Sequence, residues 1–194
     1  MARPSMREEI LDAALERFRT VGYNAAGVKE ITDGAGVPKG SFYNHFESKE
    51  ALGVVALQRY GEGRRLGDLA ASEVPPLVRL RRHFEFLRAE TEDCGYQRGC
   101  LFGNFGAEVA DHSDIIREAV DGSLAEWQDR VAALLDEARE SGAVDPGLDA
   151  RATAIFVVSA WEGTLITARA ARSPEAFDAF FTLVFGTLLA QLSS

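Results

Sequence analysis

Lys39, Ser41, Tyr43, Asn44 and His45 form a run of basic and polar side chains interleaved with Phe42 and Phe46, and Lys49 follows three residues later. These residue types suit a phosphate-bearing polymer. A lysine ammonium neutralises phosphate charge, serine and tyrosine hydroxyls donate to phosphate oxygens, and an asparagine amide matches a base edge. Gly40 lets a helix N-terminus approach a backbone closely, and free N–H groups there attract phosphate. Lys49 stands at the start of a following helix, where its charge opposes the dipole, a placement that makes sense against a phosphate. His45 has two readings, a structural ring beside two phenylalanines or a phosphate contact.

These side chains need a scaffold, and the sequence predicts a helical one. Val28–Ala35 reads as a short helix, Gly36-Val37-Pro38 as a tight turn and the stretch to about Phe46 as a second short helix. Gly36 takes a positive φ cheaply. Val28, Ile31, Ala35 and Val37 supply the inner face of the first helix, and Phe42 and Phe46 that of the second. Upstream, Ser5-Met6-Arg7-Glu8 fits a capping box, and Ile10, Ala14, Phe18 and Val21 recur every three or four residues up to Gly22.

Ser48 caps a longer helix expected to run from Lys49 to about Ala71, before Val74-Pro75-Pro76 breaks it. A helix over about Leu77–Asp93 follows. Residues 95–106 carry four glycines and read as irregular or as a short helix. Ser113 is placed to cap a helix to about Ser141, striped by Ile116, Val120, Trp127, Val131, Leu134 and Ala138. Asp149–Ala171 is apolar nearly all round, and Ser173-Pro174-Glu175 starts a last helix whose stripe runs from Phe177 to Leu192. With no strand alternation or repeat, the expected fold is all-α, about nine helices. The expected domains are a helix–turn–helix head at 1–50 and a ligand-binding and dimerisation domain at 51–194.

The stretch Ala35-Gly36-Val37-Pro38-Lys39-Gly40-Ser41-Phe42-Tyr43-Asn44-His45-Phe46-Glu47-Ser48-Lys49-Glu50-Ala51-Leu52 closely resembles the DNA-binding signature of TetR-type transcriptional repressors. The match reaches back through Ile10–Ala14, Phe18 and Gly22-Tyr23. The resemblance implies a homodimer that binds a palindromic DNA operator through two such heads. It also implies a C-terminal domain whose small-molecule ligand releases the DNA. DNA contacts carry over to Lys39, Ser41, Tyr43, Asn44, His45 and Lys49. Many members have Thr or Ser where this chain has Ala26-Gly27, so a helix cap and a phosphate contact expected there are in doubt.

In the C-terminal half, Gly99-Cys100-Leu101 and the helix leading to Glu108 and Asp111 resemble one subgroup, the reactive-cysteine, NemR-like and acrylate-responsive repressors. The subgroup implies that Cys100 can sense electrophiles or oxidants. A cysteine near a helix N-terminus has its thiolate stabilised, and an inward Arg98 would help. The competing reading is a small buried residue that lets two helices approach. A Cys94–Cys100 disulfide is possible in principle, but the spacing does not fix the geometry. For the ligand cavity the expected lining is Cys100, Trp127, Phe102, Phe84, Leu87 and Trp161, with His83 and His112 as candidate polar groups. Most of the aromatic set, Phe86 and Phe105 included, is equally suited to ordinary core.

Charge and composition bound the rest. The chain has 194 residues and a net charge of −9. Residues 1–50 contribute −1 and residues 51–194 contribute −8, while all three lysines (29, 39 and 49) lie in the first segment. A chain this acidic does not coat nucleic acid non-specifically, but a localised basic site remains compatible. The absence of a signal-peptide pattern and of a long apolar run leads to the expectation of a cytoplasmic protein with no membrane partner. Glu108 and His112 are too few to hold a structural metal, and no cofactor is called for. No nucleophile–base pair or phosphate loop stands out, so an enzyme is not expected. A small all-α enzyme and a helical head that binds protein instead of DNA are the rival readings.

Overall fold

The computed structural model describes residues 5–70 and 72–190. Among these the structure is all helical: α1 (Met6–Val21), α2 (Val28–Gly34), α3 (Lys49–Glu62), α4 (Pro76–Asp93), α5 (Leu101–Val109), α6 (Asp114–Glu140), α7 (Ala150–Ala171) and α8 (Glu175–Leu183). Short 3-10 segments lie at Lys39–Asn44 and Leu66–Leu69, and a π-helical turn covers Val184–Leu188. No described helix is long and apolar enough to cross a membrane. The chain separates into two compact units. The first joins the residues up to Gly63 with Cys100–Ser123, and the second joins Arg64–Gly99 with the residues from Leu124 onward. The first unit thus takes in α3, α5 and the first part of α6, beyond the boundary at residue 50.

In the first unit, α1 begins where Ser5 Oγ accepts from Glu8 N–H at 3.3 Å. The reciprocal half of the expected capping box is not made, because the Glu8 carboxylate pairs with Arg59 of α3 instead. Ile10, Leu11, Ala14 and Phe18 form the buried stripe of α1. Gly22 follows with φ +85°, and a methyl group there would collide with the Glu108 carboxylate. Asn24 N–H donates to that carboxylate at 3.1 Å, and the Asn24 amide donates to the Glu108 carbonyl at 3.3 Å. Phe105, one turn earlier on α5, meets Phe18 and Tyr23 edge-on at 5.2 and 5.1 Å. Phe102 meets Tyr60 of α3 at 5.2 Å. The glycine-bearing segment after Cys100 is therefore an amphipathic helix whose aromatic residues complete the core of the head.

Helix α3 ends at Glu62, short of the expected Ala71, which lies outside the described residues. Gly61 and Gly63 explain the stop, since each costs a helix about 1 kcal/mol relative to alanine. Arg65 then turns the chain with a left-handed φ of 56°.

In the second unit, Pro76 sits in the first turn of α4, where its missing N–H costs nothing. Leu80, His83, Phe84, Leu87 and Thr91 form its inner stripe. The buried guanidinium of Arg79 donates to the carbonyls of Leu69, Ala70 and Val74 and pairs with Glu137 of α6. That side chain fixes the irregular segment before α4. Along α6, whose first part belongs to the first unit, every residue of the expected stripe is buried, but Ser113 Oγ makes no hydrogen bond and does not cap the helix. Asp149 caps α7 by accepting from Ala152 N–H at 2.9 Å. Near α8, the π-helical turn shifts the register, with Leu189 N–H bonded to the Val184 carbonyl. Leu189 is therefore buried and Leu188 exposed. Leu192, the last member of the expected stripe, lies outside the described residues.

Candidate nucleic-acid interface and ligand cavity

The candidate interface is built on α2 and the segment after it. Gly27 occupies the N-cap of α2 without any side-chain hydrogen bond, as the missing hydroxyl implied. The helix closes through Gly36 at φ +68°, with Val37 N–H bonded to the Thr32 carbonyl at 3.0 Å. Residues Lys39–Asn44 wind as a 3-10 helix where the sequence suggested an ordinary helical turn. The piece is short, starts from Pro38 and contains Gly40, conditions under which i→i+3 bonding is common. Phe42 and Phe46 are buried, with Phe42 fully enclosed. Their packing turns Lys39, Tyr43 and Asn44 into solvent and leaves Ser41 and His45 half-buried. Tyr43 is 62% exposed.

The three lysines differ in their surroundings. Lys29 pairs with Asp33 one turn on. Lys39 makes no ion pair with any described residue. The Lys49 ammonium lies 4.2 Å from the centroid of the Tyr23 ring. Burial lowers the Lys49 pKa from its ordinary value, while Glu108 and Glu30 act the other way. Burial, with help from Glu50, pushes the Tyr23 hydroxyl up to about 12, so this ring is neutral. A cation over a neutral ring face is held without being neutralised. Lys49 therefore stands beside the N-terminus of α3 without an ion pair to any described residue, and Ser48 Oγ there already accepts from Ala51 N–H at 3.0 Å.

The residues expected to line one ligand cavity fall into two sets. Cys100 and Phe102 belong to the first unit, and Phe84, Leu87, Trp127 and Trp161 to the second. Cys100 is the N-cap of α5 and is buried; Cys94 is half-buried, and its thiol donates to the Thr91 carbonyl at 3.2 Å. Neither cysteine is in a disulfide, so the Cys94–Cys100 bridge considered from sequence is not formed. Phe84 meets Trp161 and Phe180 at 5.0 Å each, and Trp161 meets Phe177 at 5.3 Å. Trp127, Trp161 and Phe84 are buried in this cluster.

A cavity of about 580 Å³ opens in the second unit, with His83 of α4 in its wall. Arg65, Gly67, Asp68, Ala70, Ser72 and Val74 line one side; Arg79, Arg82, His83 and Phe86 of α4 line the other. Such a volume fits a small organic molecule. His83 is 3% exposed, lies 5.7 Å from Trp127 between ring centroids, and has no hydrogen-bond partner on either ring nitrogen. Burial, reinforced by Arg64, pushes its pKa down to about 4, so the imidazole is neutral at physiological pH. The sequence marks His83 as a candidate polar group but not the arginines: Arg79 and Arg82 stand on α4, and Arg65 stands just before the non-periodic segment whose carbonyls Arg79 holds. Among the described residues no group of three or more His, Cys, Asp or Glu side chains could hold a metal ion.

A compact helical head that buries one face of a short helix–turn–helix and exposes a basic, hydroxyl-rich opposite face defines a DNA-binding protein class. Comparison with known proteins gives the family. Residues 10–53 match the model for bacterial regulatory proteins of the tetR family, and residues 76–184 match the Tetracyclin repressor-like C-terminal domain. The chain belongs to the TetR family of transcriptional regulators. It is 35% identical to the HTH-type transcriptional repressor DhaR of Mycobacterium sp. (strain GP1), over 97% of this chain and 95% of that protein. It is 36% identical to the transcriptional regulator AcuR of Cereibacter sphaeroides, over 92% of this chain and 83% of that protein. The crystal structure of reduced Escherichia coli NemR superposes with a TM-score of 0.84 at 27% identity, covering 98% of this chain and all of that one.

Proposed function

We propose that this regulator is a dimeric repressor that sets the Lys39–Asn44 segment of each head into the major groove of a palindromic operator half-site, and that a small molecule bound in the second unit releases it. The exposed row of Lys39, Tyr43 and Asn44 over a buried Phe42 carries this reading. Ser41, His45 and Lys49 flank the row as further phosphate contacts. DhaR and NemR are both called repressors, which supports repression over activation. No catalytic activity is part of the proposal.

The second copy is proposed to cover α7 and α8. Ile155, Phe156 and Ile166 on α7 and Leu183 after Phe181 on α8 are exposed. They share the outer faces of these helices with Ala152, Ser159, Gly163, Ala179 and Thr182, and Gly186 follows on the π-helical turn. A Cβ at Gly163 or Gly186 would meet nothing within 4 Å, so packing inside the chain does not account for either glycine. Close approach of a partner helix does, in a four-helix interface with two-fold symmetry.

A gel shift with the DNA upstream of the chain's own coding region tests the function. A sequence-specific shift that weakens with salt is expected; a protein-binding module or an enzyme would give none. A second reading concerns Cys100. Its place at the N-cap of α5 favours thiolate stabilisation, whereas its burial favours simple packing. In the sensing case, Cys100→Ser keeps full operator affinity and loses release by an electrophile such as N-ethylmaleimide. Unchanged release in the serine variant assigns the cysteine to packing.

A further inference from the structure

The turn between α1 and α2 is held from outside the helix–turn–helix. Glu108, near the end of α5, sets its carboxylate against it, eighty-four residues along the chain from Asn24. Asn24 N–H donates to that carboxylate at 3.1 Å, and the Asn24 amide donates to the Glu108 carbonyl at 3.3 Å. The fit is close. A Cβ on Gly22 would lie 2.3 Å from one carboxylate oxygen and 2.7 Å from the other, and the φ of +85° demands glycine as well. Tyr23 stands between the two held residues. Its ring stacks on Phe18 at 5.5 Å, and a Cβ on Gly53 of α3 would come within 3.3 Å of it. The Lys49 ammonium lies 4.2 Å from the centroid of the same ring. Holding the turn therefore fixes the platform on which Lys49 rests. Glu108 also acts on Lys49 through its charge, against the effect of burial.

We propose that Glu108 is a positioning residue for operator binding: its carboxylate holds the Gly22–Asn24 turn so that the Tyr23 ring presents Lys49 to a DNA phosphate. The proposal rests on the reading that Lys49 meets phosphate. A long side chain already held over a ring gives up less freedom on binding than one that samples many rotamers, so the platform raises affinity without adding a contact. The role belongs to the acceptor oxygen and its place. The negative charge itself adds no attraction for DNA, but a hydrogen bond to a carboxylate is stronger than one between neutral groups, which suits a contact that must fix an exposed turn.

The test measures affinity against salt for the full chain and its variants, on a duplex that the native protein binds. Glu108→Ala is expected to weaken binding about tenfold and to flatten the salt slope as Lys49→Ala does. Glu108→Gln keeps an acceptor oxygen in the same place and is expected to recover most of both. In a Lys49→Ala background, Glu108→Ala is expected to add little, because its effect passes through the lysine. Circular dichroism checks the fold. If Glu108→Ala does not fold, Asn24→Ala decides, since it removes only the side-chain hydrogen bond of an exposed residue: a smaller loss with a flatter slope supports the proposal, and native behaviour overturns it. Native affinity and slope in Glu108→Ala, a glutamine variant no better than the alanine one, or losses that simply add in the double variant also overturn it. A native chain that binds no duplex overturns the DNA-binding reading beneath it, a result distinct from a fault confined to position 108.

Discussion

Ile166→Glu is expected to leave each chain folded, convert the dimer to a monomer and weaken operator binding by about 10²–10⁴-fold, the advantage that a second linked site confers. Ile166 is 70% exposed, the most open of the large apolar residues among those described, so the substitution disturbs little packing inside the chain. In a two-fold interface the same change occurs on both partners near one axis. It places two carboxylates in an apolar seam, and burying an unpaired charge is costly. Gly163→Leu is expected to act the same way by filling the space a partner helix needs. Light scattering on the eluting protein reads the mass, and circular dichroism reads the fold. A variant that stays dimeric with native operator affinity would place the interface elsewhere.

Phe105→Ala is expected to destabilise the first unit by about 3–5 kcal/mol, the usual cost of removing a fully enclosed aromatic ring. Such a loss is a large part of the stability of an ordinary domain, about 5–15 kcal/mol. Phe105 is fully buried, and its ring sits against Phe18 and Tyr23. A Cβ on Gly53 would already crowd it at 3.4 Å, so α3 is packed tightly against the same ring. Tyr23 in turn carries the Lys49 ammonium, so the variant should also lose operator affinity at temperatures where it remains folded. Phe105→Leu, which keeps most of the volume, should recover most of both. Urea denaturation of the three proteins reads the effect. A loss below about 1 kcal/mol for the alanine variant would mean that α5 is not part of the head's core.

Much of this was legible in the residues. Helical periodicity gave the α6 stripe completely, because each of its positions packs by the same local rule. Ser5 and Ser48 cap their helices through contacts three residues away, which a local pattern encodes. The polar face of the head was legible for the same reason, since Phe42 and Phe46 fix which neighbours must point outward. What escaped depends on distant partners. Glu8 leaves its capping box for Arg59, fifty-one residues away. The segment around Phe102 and Phe105 joins the N-terminal unit through Tyr60, Tyr23 and Asn24, and no periodicity announces that. The cavity of the second unit takes His83 and Phe86 from α4 together with a non-periodic segment held by Arg79, a contact no local pattern encodes.

The central claim is that a small basic face on an acidic chain grips DNA phosphates. Its most direct measurement is operator affinity as a function of salt, for the native protein and for Lys49→Ala, on the specific duplex and on variants of it. The native protein is expected to bind one sequence well above others, with affinity falling steeply as salt rises. Lys49→Ala should weaken binding about equally on every duplex and flatten the slope by about 0.9 for each head, one phosphate contact. Binding that ignores both sequence and salt, or no binding at all, would contradict the account.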